Sequence, residues 1–211
     1  RYRPEFETGD DSLGIVDLFA GCGGLTLGVA QACRQADRSM QIALAVDFEP
    51  LATAVYQQNF PFAERIETAS VEAFFDGELG AVRTFVEQRI VASIDDIDVL
   101  VGGPPCQGHS NLNNHTRRVD EKNALYLRMI RAAEVVRPRL LLIENVPSVL
   151  PDRHDGVGVV EKAVEHLERI GYRAEHRVVA MARLGVAQTR QRHVLLAVAP
   201  GEPAPGQIFE A

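Results

Sequence analysis

Leu13-Gly14-Ile15-Val16-Asp17-Leu18-Phe19-Ala20-Gly21-Cys22-Gly23-Gly24 is the stretch on which the fold turns. Its first half, Leu13–Phe19, is a short apolar run of strand character, and an amphipathic pattern over Gly24–Gln35 follows at once. Between them lies a glycine-rich turn, which lets backbone approach a ligand closely and passes the chain tightly from strand to helix. The dinucleotide fingerprint G-x-G-x-x-G is not met, because Thr26 stands at the third glycine. The form Asp-x-Phe-x-Gly-x-Gly-Gly points instead to a nucleoside ligand without a pyrophosphate.

The same alternation continues outward from this unit. Strand-like runs are Ile42–Val46, Ile97–Val101, Leu140–Ile143, Arg177–Met181 and His193–Val198, with a weak one at Arg65–Thr68. Helical patterns occupy Pro50–Asn59, Gly80–Arg89, Asn123–Arg137 and Val157–Ile170. Strands separated by helices of this length predict an α/β fold, a mostly parallel sheet with helices on both faces. The last two strand-like runs have no helix between them, which predicts an antiparallel strand at one edge. Ligands of such sheets bind beyond the carboxyl ends of the strands.

With 211 residues, 46% of them apolar, the chain can bury one sizeable core, so a single domain over residues 1–200 is expected. Gly201–Gly206 reads as a linker, making 201–211 a connection to a further segment. No apolar stretch is long enough to span a bilayer, so no membrane partner is expected. The three cysteines, Cys22, Cys33 and Cys106, have neither disulfide-framework nor metal-ligand spacing, which suits a reducing cytoplasm and predicts no metal. The net charge of −7 speaks against nucleic acid. Yet Asn111–Leu140 carries seven Arg or Lys against three acids, including Arg117-Arg118. By charge alone that segment is an ordinary solvated helix face.

Four groups of residues sit at or beside predicted strand ends. Asp17, Phe19, Ala20, Gly21, Gly23 and Gly24 form the first. Asp47 closes the second strand, where a carboxylate accepts bonds from ribose hydroxyls, and Phe19 and Phe48 are placed to sandwich an adenine. Cys106 follows Gly102-Gly103-Pro104-Pro105, a loop stiffened by two prolines that holds a thiol in position as a nucleophile requires. Glu144 ends the very apolar run Leu140–Ile143, where an acid needs a partner or a task. Asn145 either caps the chain there or lines the pocket, and both readings stand. Arg190 and Arg192 lie two apart, so on an extended segment both point to one face.

These blocks resemble the DNA cytosine-C5 methyltransferases. Asp17–Gly24 is similar to that family's S-adenosylmethionine motif, Gly103–Ser110 to its Pro-Cys-Gln motif, Glu144-Asn145-Val146 to its Glu-Asn-Val motif, and Gln188–Arg192 to its Gln-x-Arg-x-Arg motif. The order and spacing match over nearly the whole chain. The resemblance implies a Rossmann-like methyltransferase fold, and methyl transfer from S-adenosylmethionine to C5 of cytosine, leaving S-adenosylhomocysteine. It makes Cys106 the nucleophile toward C6. Glu144 would act on N3 and the exocyclic amine, Arg192 would face O2, and Arg190 would orient the cluster. Since C6 is unreachable in a stacked duplex, the partner is double-stranded DNA with the cytosine flipped out. Pro105 would line the pocket between cofactor and base. Gln107, Ser110, Arg117 and Arg118 would meet DNA, Gln107 and Ser110 equally serving to stabilise the loop. The stretch from His109 to Arg118 is either a mobile loop closing over DNA or an ordinary surface loop. The implied location is the bacterial cytoplasm, with the nucleoid.

The chain departs from the family at three points. His109 stands where Phe is common. Thr68-Ala69-Ser70-Val71 replaces the usual adenine-contacting acid, leaving Ser70 as the substitute. The target-recognition region and the returning C-terminal segment have no counterpart, so either the chain is an excerpt or a second polypeptide supplies them. Alternatives are a transfer-RNA cytosine methyltransferase, whose Pro-Pro-Cys-Gln segment continues differently, and an inactive cofactor- or DNA-binding subunit. A nicotinamide dehydrogenase fits the fold but leaves Cys106 and the Arg pair without use.

Overall fold

A computed structural model describes residues 12–105, 117–185 and 187–210, with the backbone alone for 117–123. Seven strands form one sheet in the order β3-β2-β1-β4-β5-β9-β8, where β1 is Ser12–Leu18, β2 Ser39–Asp47, β3 Ile66–Thr68, β4 Val99–Gly102, β5 Leu140–Asn145, β8 Arg173–Ala180 and β9 Gln191–Val198. The pairs β1–β2, β1–β4, β2–β3 and β4–β5 are parallel. β9 runs antiparallel to both β5 and β8, so the reversed strand lies one place inside the edge. The helices are α1 Gly24–Gln35, α2 Pro50–Asn59, α3 Phe85–Val91, α4 Arg117–Val136, α5 Val159–Arg169 and α6 Pro205–Glu210.

Strand alternation divides the core. Ile15 packs with Ala30, Cys33, Tyr56 and Phe60 beneath α1 and α2. Its neighbour Val16 packs with Ile90, Met129, Ile130, Ala163 and Leu167 beneath α3, α4 and α5. The sheet is therefore covered on both faces, and the strand order reverses between β1 and β4, where ligands of such folds bind.

Local chemistry explains where elements begin and end. α1 and α2 occupy the predicted residues, α2 opening with Pro50 in its first turn, where a missing N–H costs nothing. α3 starts at Phe85 rather than Gly80, because Thr84 and Glu87 form a reciprocal capping box. α4 starts at Arg117, so the backbone of Arg117 and Arg118 is helical rather than loop. Its run of Arg, Lys, Glu and Leu favours extension. Pro138 ends it, with Arg137 turned left-handed at φ 60°. Ahead of α5, Asp155 and Gly156 at φ 53° and 79° turn a small hairpin between β6 (Arg153–His154) and β7 (Val157–Gly158). α6 packs against β8 and β9 where the sequence reads as linker.

Candidate active site

The turn after β1 is built from three left-handed residues, Phe19 at φ 56°, Gly21 at 53° and Gly23 at 88°. Phe19 pays steric cost for this conformation, which positions the turn against β2. Ala20 N–H donates to the Val46 carbonyl at 3.0 Å and Gly21 N–H to Asp47 Oδ2 at 2.8 Å. A Cβ on Gly23 would lie 2.4 Å from the Phe60 ring, so no side chain fits there. Gly24 opens α1. Phe19 packs on the core, whereas the Phe48 ring is 68% exposed.

Asp47 ends β2 with its other oxygen accepting the Glu49 N–H at 2.9 Å. Each carboxylate oxygen keeps acceptor capacity for a hydroxyl. Ser70 lies close by in the chain path, since Ala69 N–H donates to the Asp47 carbonyl at 2.9 Å. Its hydroxyl caps the 3-10 turn Val71–Ala73 through the Glu72 N–H.

Asp17 is fully buried. Its Oδ2 accepts a 2.5 Å hydrogen bond from Thr26, whose hydroxyl lies 2.8 Å from that of Tyr56, while Oδ1 is buried without a partner among the described residues. Burial pushes the Asp17 carboxyl up to about 7; the Thr26 bond opposes this and the nearby Asp47 charge adds to it. Thr26 and Tyr56 are the residues sequence reasoning missed. The departure from the dinucleotide fingerprint at Thr26 was the available signal.

The second half of the site lies across β4, whose Gly102 pairs with Leu18. Gly103, Pro104 and Pro105 leave the carboxyl end of β4. A Cβ on Gly103 would sit 3.6 Å from Glu144 Oε2, so this loop runs directly past that carboxylate. Pro105 is half-buried at the loop's described end. Asn145 is buried; it donates to the Pro104 carbonyl at 3.0 Å and accepts the Val146 N–H at 2.8 Å. The Asn145 amide thus ties β5 to the loop.

Glu144 projects from β5 and pairs with Arg192 of β9, Oε1 to Nε at 2.5 Å. Burial raises the Glu144 carboxyl above its ordinary range, and the Arg190 charge works against that rise. Arg190 is exposed just before β9, its carbonyl accepting the Met181 N–H at 2.8 Å. Cys106, Gln107 and Ser110 lie outside the described residues, as do the side chains of Arg117 and Arg118.

A glycine turn with two carboxylates and a half-buried Glu–Arg pair therefore flank one switch point. An orphaned carboxylate oxygen, an Asp with spare acceptor capacity and an exposed aromatic ring suit a nucleoside bearing a cationic amino-acid tail. Fold and site together define a Rossmann-like domain of the methyltransferase class.

Comparison with known proteins gives the family. Residues 13–209 match the profile of the C-5 cytosine-specific DNA methylases, and the chain belongs to that family. It is 43% identical over 195 residues to the Type II methyltransferase M1.BsuMI of Bacillus subtilis, covering 92% of this chain and 45% of that one. It is 34% identical over 207 residues to the DNA (cytosine-5)-methyltransferase 1 of Rattus norvegicus, covering 96% of this chain and 12% of the relative. The fold is shared with the S. pombe Dnmt2 methyltransferase at a TM-score of 0.67 and 20% identity, covering 94% of this chain and 55% of that chain. The chain spans less than half the length of both sequence relatives. Among the described residues, no helix is long and apolar enough to cross a membrane.

Proposed function

We propose that this chain is the catalytic part of an enzyme that methylates C5 of cytosine in DNA, with S-adenosylmethionine as donor. The observation that carries the reading is the Glu144–Arg192 pair, set beside the Gly103–Pro105 loop that leads to Cys106. Across β4 from it lies the Asp17–Gly24 turn. Membership of the C-5 cytosine-specific DNA methylases supports the same chemistry.

The Asp17–Gly24 turn, Asp47 and Phe48 would hold the donor, with Ser70 and Pro105 at the margins of its pocket. When bound, S-adenosylmethionine supplies an electrophilic methyl group and leaves as S-adenosylhomocysteine. Cytosine C5 is a weak nucleophile, so the ring needs activation. The Cys106 thiolate forms a bond to C6, and electron density moves to C5. Glu144 would face N3 and the exocyclic amine, where burial raises its carboxyl pKa and the ion pair with Arg192 favours its charged form. Arg192 faces O2 and favours the thiolate through its charge. After transfer, a base removes the C5 proton and the Cys106–C6 bond breaks.

The base must leave the duplex stack to reach this site, so the substrate is double-stranded DNA with one cytosine flipped. Gln107, Ser110, Arg117 and Arg118 would meet the strand. The catalytic unit would include α6, which packs on β8 and β9 within the matched residues 13–209. The proposed place of action is the cytoplasm, at the nucleoid, in a restriction-modification setting.

The test is incubation of the full-length protein with S-adenosylmethionine and unmethylated duplex DNA, followed by mass-spectrometric analysis of nucleosides. The reading predicts 5-methylcytosine, absent with Cys106→Ser. Methylation at another atom, or its persistence in Cys106→Ser, would contradict it.

A further inference from the structure

A net charge of −7 makes the chain as a whole a poor partner for the phosphate rows of duplex DNA. One stretch departs from that balance. From His176 to Gly201 there is no Asp or Glu, although the chain holds 29, and Arg177, Arg183, Arg190 and Arg192 all fall within it. β8 and β9 end their pairing at Ala180 and Gln191, and the chain between them runs past the sheet. The 2.8 Å bond from the Met181 N–H to the Arg190 carbonyl closes the base of this loop. Its first side is a 3-10 turn, Met181–Leu184, ended by Gly185, which is left-handed at φ 82° and donates back to the Ala182 carbonyl at 3.2 Å. Because β9 is antiparallel to β5, His193 lies opposite Asn145 at the end where Glu144 stands. The loop therefore borders the candidate active site, across Glu144 from the Asp17–Gly24 turn.

The four arginines are not equivalent. Arg192 is held by Glu144. Arg177 pairs with Glu175 at 2.7 Å and lies over the Phe209 ring at 4.9 Å. Arg190 spends part of its field on the Glu144 carboxyl. Arg183, exposed on the 3-10 turn, has no ion pair and no side-chain hydrogen bond to any described residue. Elsewhere even exposed arginines are committed, Arg65 to Glu67, Arg139 to Asp98 and Glu202, and Arg169 to Glu165. An exposed guanidinium beside the site, on backbone bonded at both ends and far in sequence from any acid, suits an anion that arrives with the substrate.

We propose that Arg183 holds a backbone phosphate of the duplex beside the flipped cytosine, so that the β8–β9 loop adds affinity for DNA without reading its sequence. The inference rests on the DNA-methylating reading above. A guanidinium offers two parallel N–H groups to two phosphate oxygens. Such contacts set register and orientation, and base edges supply the specificity. The contact comes from the β9 side of the site, whereas Gln107, Ser110, Arg117 and Arg118 belong to the segment that follows β4.

The experiment is fluorescence anisotropy of the full-length protein with two labelled duplexes of equal length, one of mixed sequence and one of A·T pairs alone, between about 50 and 200 mM salt. Arg183→Gln should weaken binding several-fold on both duplexes and lower the slope of log K against log salt by about 0.9, the worth of one phosphate on B-DNA. Arg183→Lys keeps the charge and should restore most of the slope. Arg177→Gln removes an equal charge that is already paired, and its slope should match the wild type. An unchanged slope in Arg183→Gln, or an equal loss in Arg177→Gln, overturns this inference alone. A loss confined to the mixed-sequence duplex would make Arg183 a base reader and overturn it as well. Failure of the wild-type protein to bind either duplex overturns the DNA-methylating reading and this inference with it.

Discussion

Glu144 Oε1 lies 2.5 Å from Arg192 Nε, which joins the carboxyl end of β5 to the start of the reversed strand β9. Glu144 Oε2 stands 3.6 Å from where a Cβ on Gly103 would lie, on the loop that leads to Cys106, the proposed nucleophile. Glu144→Gln keeps the side chain's shape while removing its exchangeable proton. Methyl transfer should fall by about 10²–10⁴-fold, the usual worth of a positioned acid. Donor affinity, measured by calorimetry, should hold. The proton also gives the pH sign: activity that depends on it declines as pH rises through the Glu144 pKa. Arg190 opposes the raised pKa, so Arg190→Gln should move that decline to higher pH.

Asn145 spends its side chain on the Pro104 carbonyl and the Val146 N–H. Of the two readings the sequence left open, these bonds favour its holding the loop. Asn145→Ala frees a buried carbonyl and should cost about 1–3 kcal/mol by urea denaturation, the price of an unpaired buried acceptor. The rate of methyl transfer should fall with donor affinity little changed. Equal losses in both would assign Asn145 to the donor pocket.

Arg131 and Glu87 pair at 2.6 Å with both side chains buried, between α4 and α3. Burial works to raise the Glu87 carboxyl, but Arg131 with the N–H groups of Thr84 and Gly77 outweighs it and holds it below its ordinary range. Arg131→Met strands that carboxylate and should lower stability by about 3–5 kcal/mol, read from the denaturant midpoint at unchanged slope. This network lies apart from the chemistry, so donor binding should survive wherever the fold does.

His193 is fully buried on β9 with neither ring nitrogen bonded to any described residue, its ring 5.1 Å from that of His176. Burial, aided by His176, pushes its pKa down to about 4. Between pH 6.5 and 4 the unfolded chain therefore takes up a proton that the folded chain refuses. Stability should drop by about 3 kcal/mol as pH falls through that window. Thermal melts of His193→Phe should lose this acid-side slope. An unchanged slope would place the titrating group elsewhere.

The sheet was legible because its strands are apolar and its first two helices carry sharp starts, Gly23-Gly24 and Pro50. β8 was half hidden, since Arg173–Arg177 alternates charged residues on a strand of mixed exposure. The Thr84–Glu87 capping box and the Asp155-Gly156 turn are local signals that periodicity overlooks. Glu144 and Arg192 could be paired in advance only through resemblance, because 48 residues separate them and no local pattern links β5 to β9. Asp17 read as a ligand contact, and its hydrogen-bond partner among the described residues is Thr26, in the first turn of α1. Tertiary partners of this kind are invisible to spacing.

Covalent capture of the base tests the central claim most directly. Duplex DNA with 5-fluorocytosine at the target position offers no C5 proton to remove, so the bond from Cys106 to C6 should persist after methyl transfer. Peptide mass spectrometry of the full-length protein with this DNA and S-adenosylmethionine should find the methylated fluorocytosine adduct on Cys106. Efficient methylation of ordinary cytosine with no adduct, or an adduct on another residue, would contradict the account.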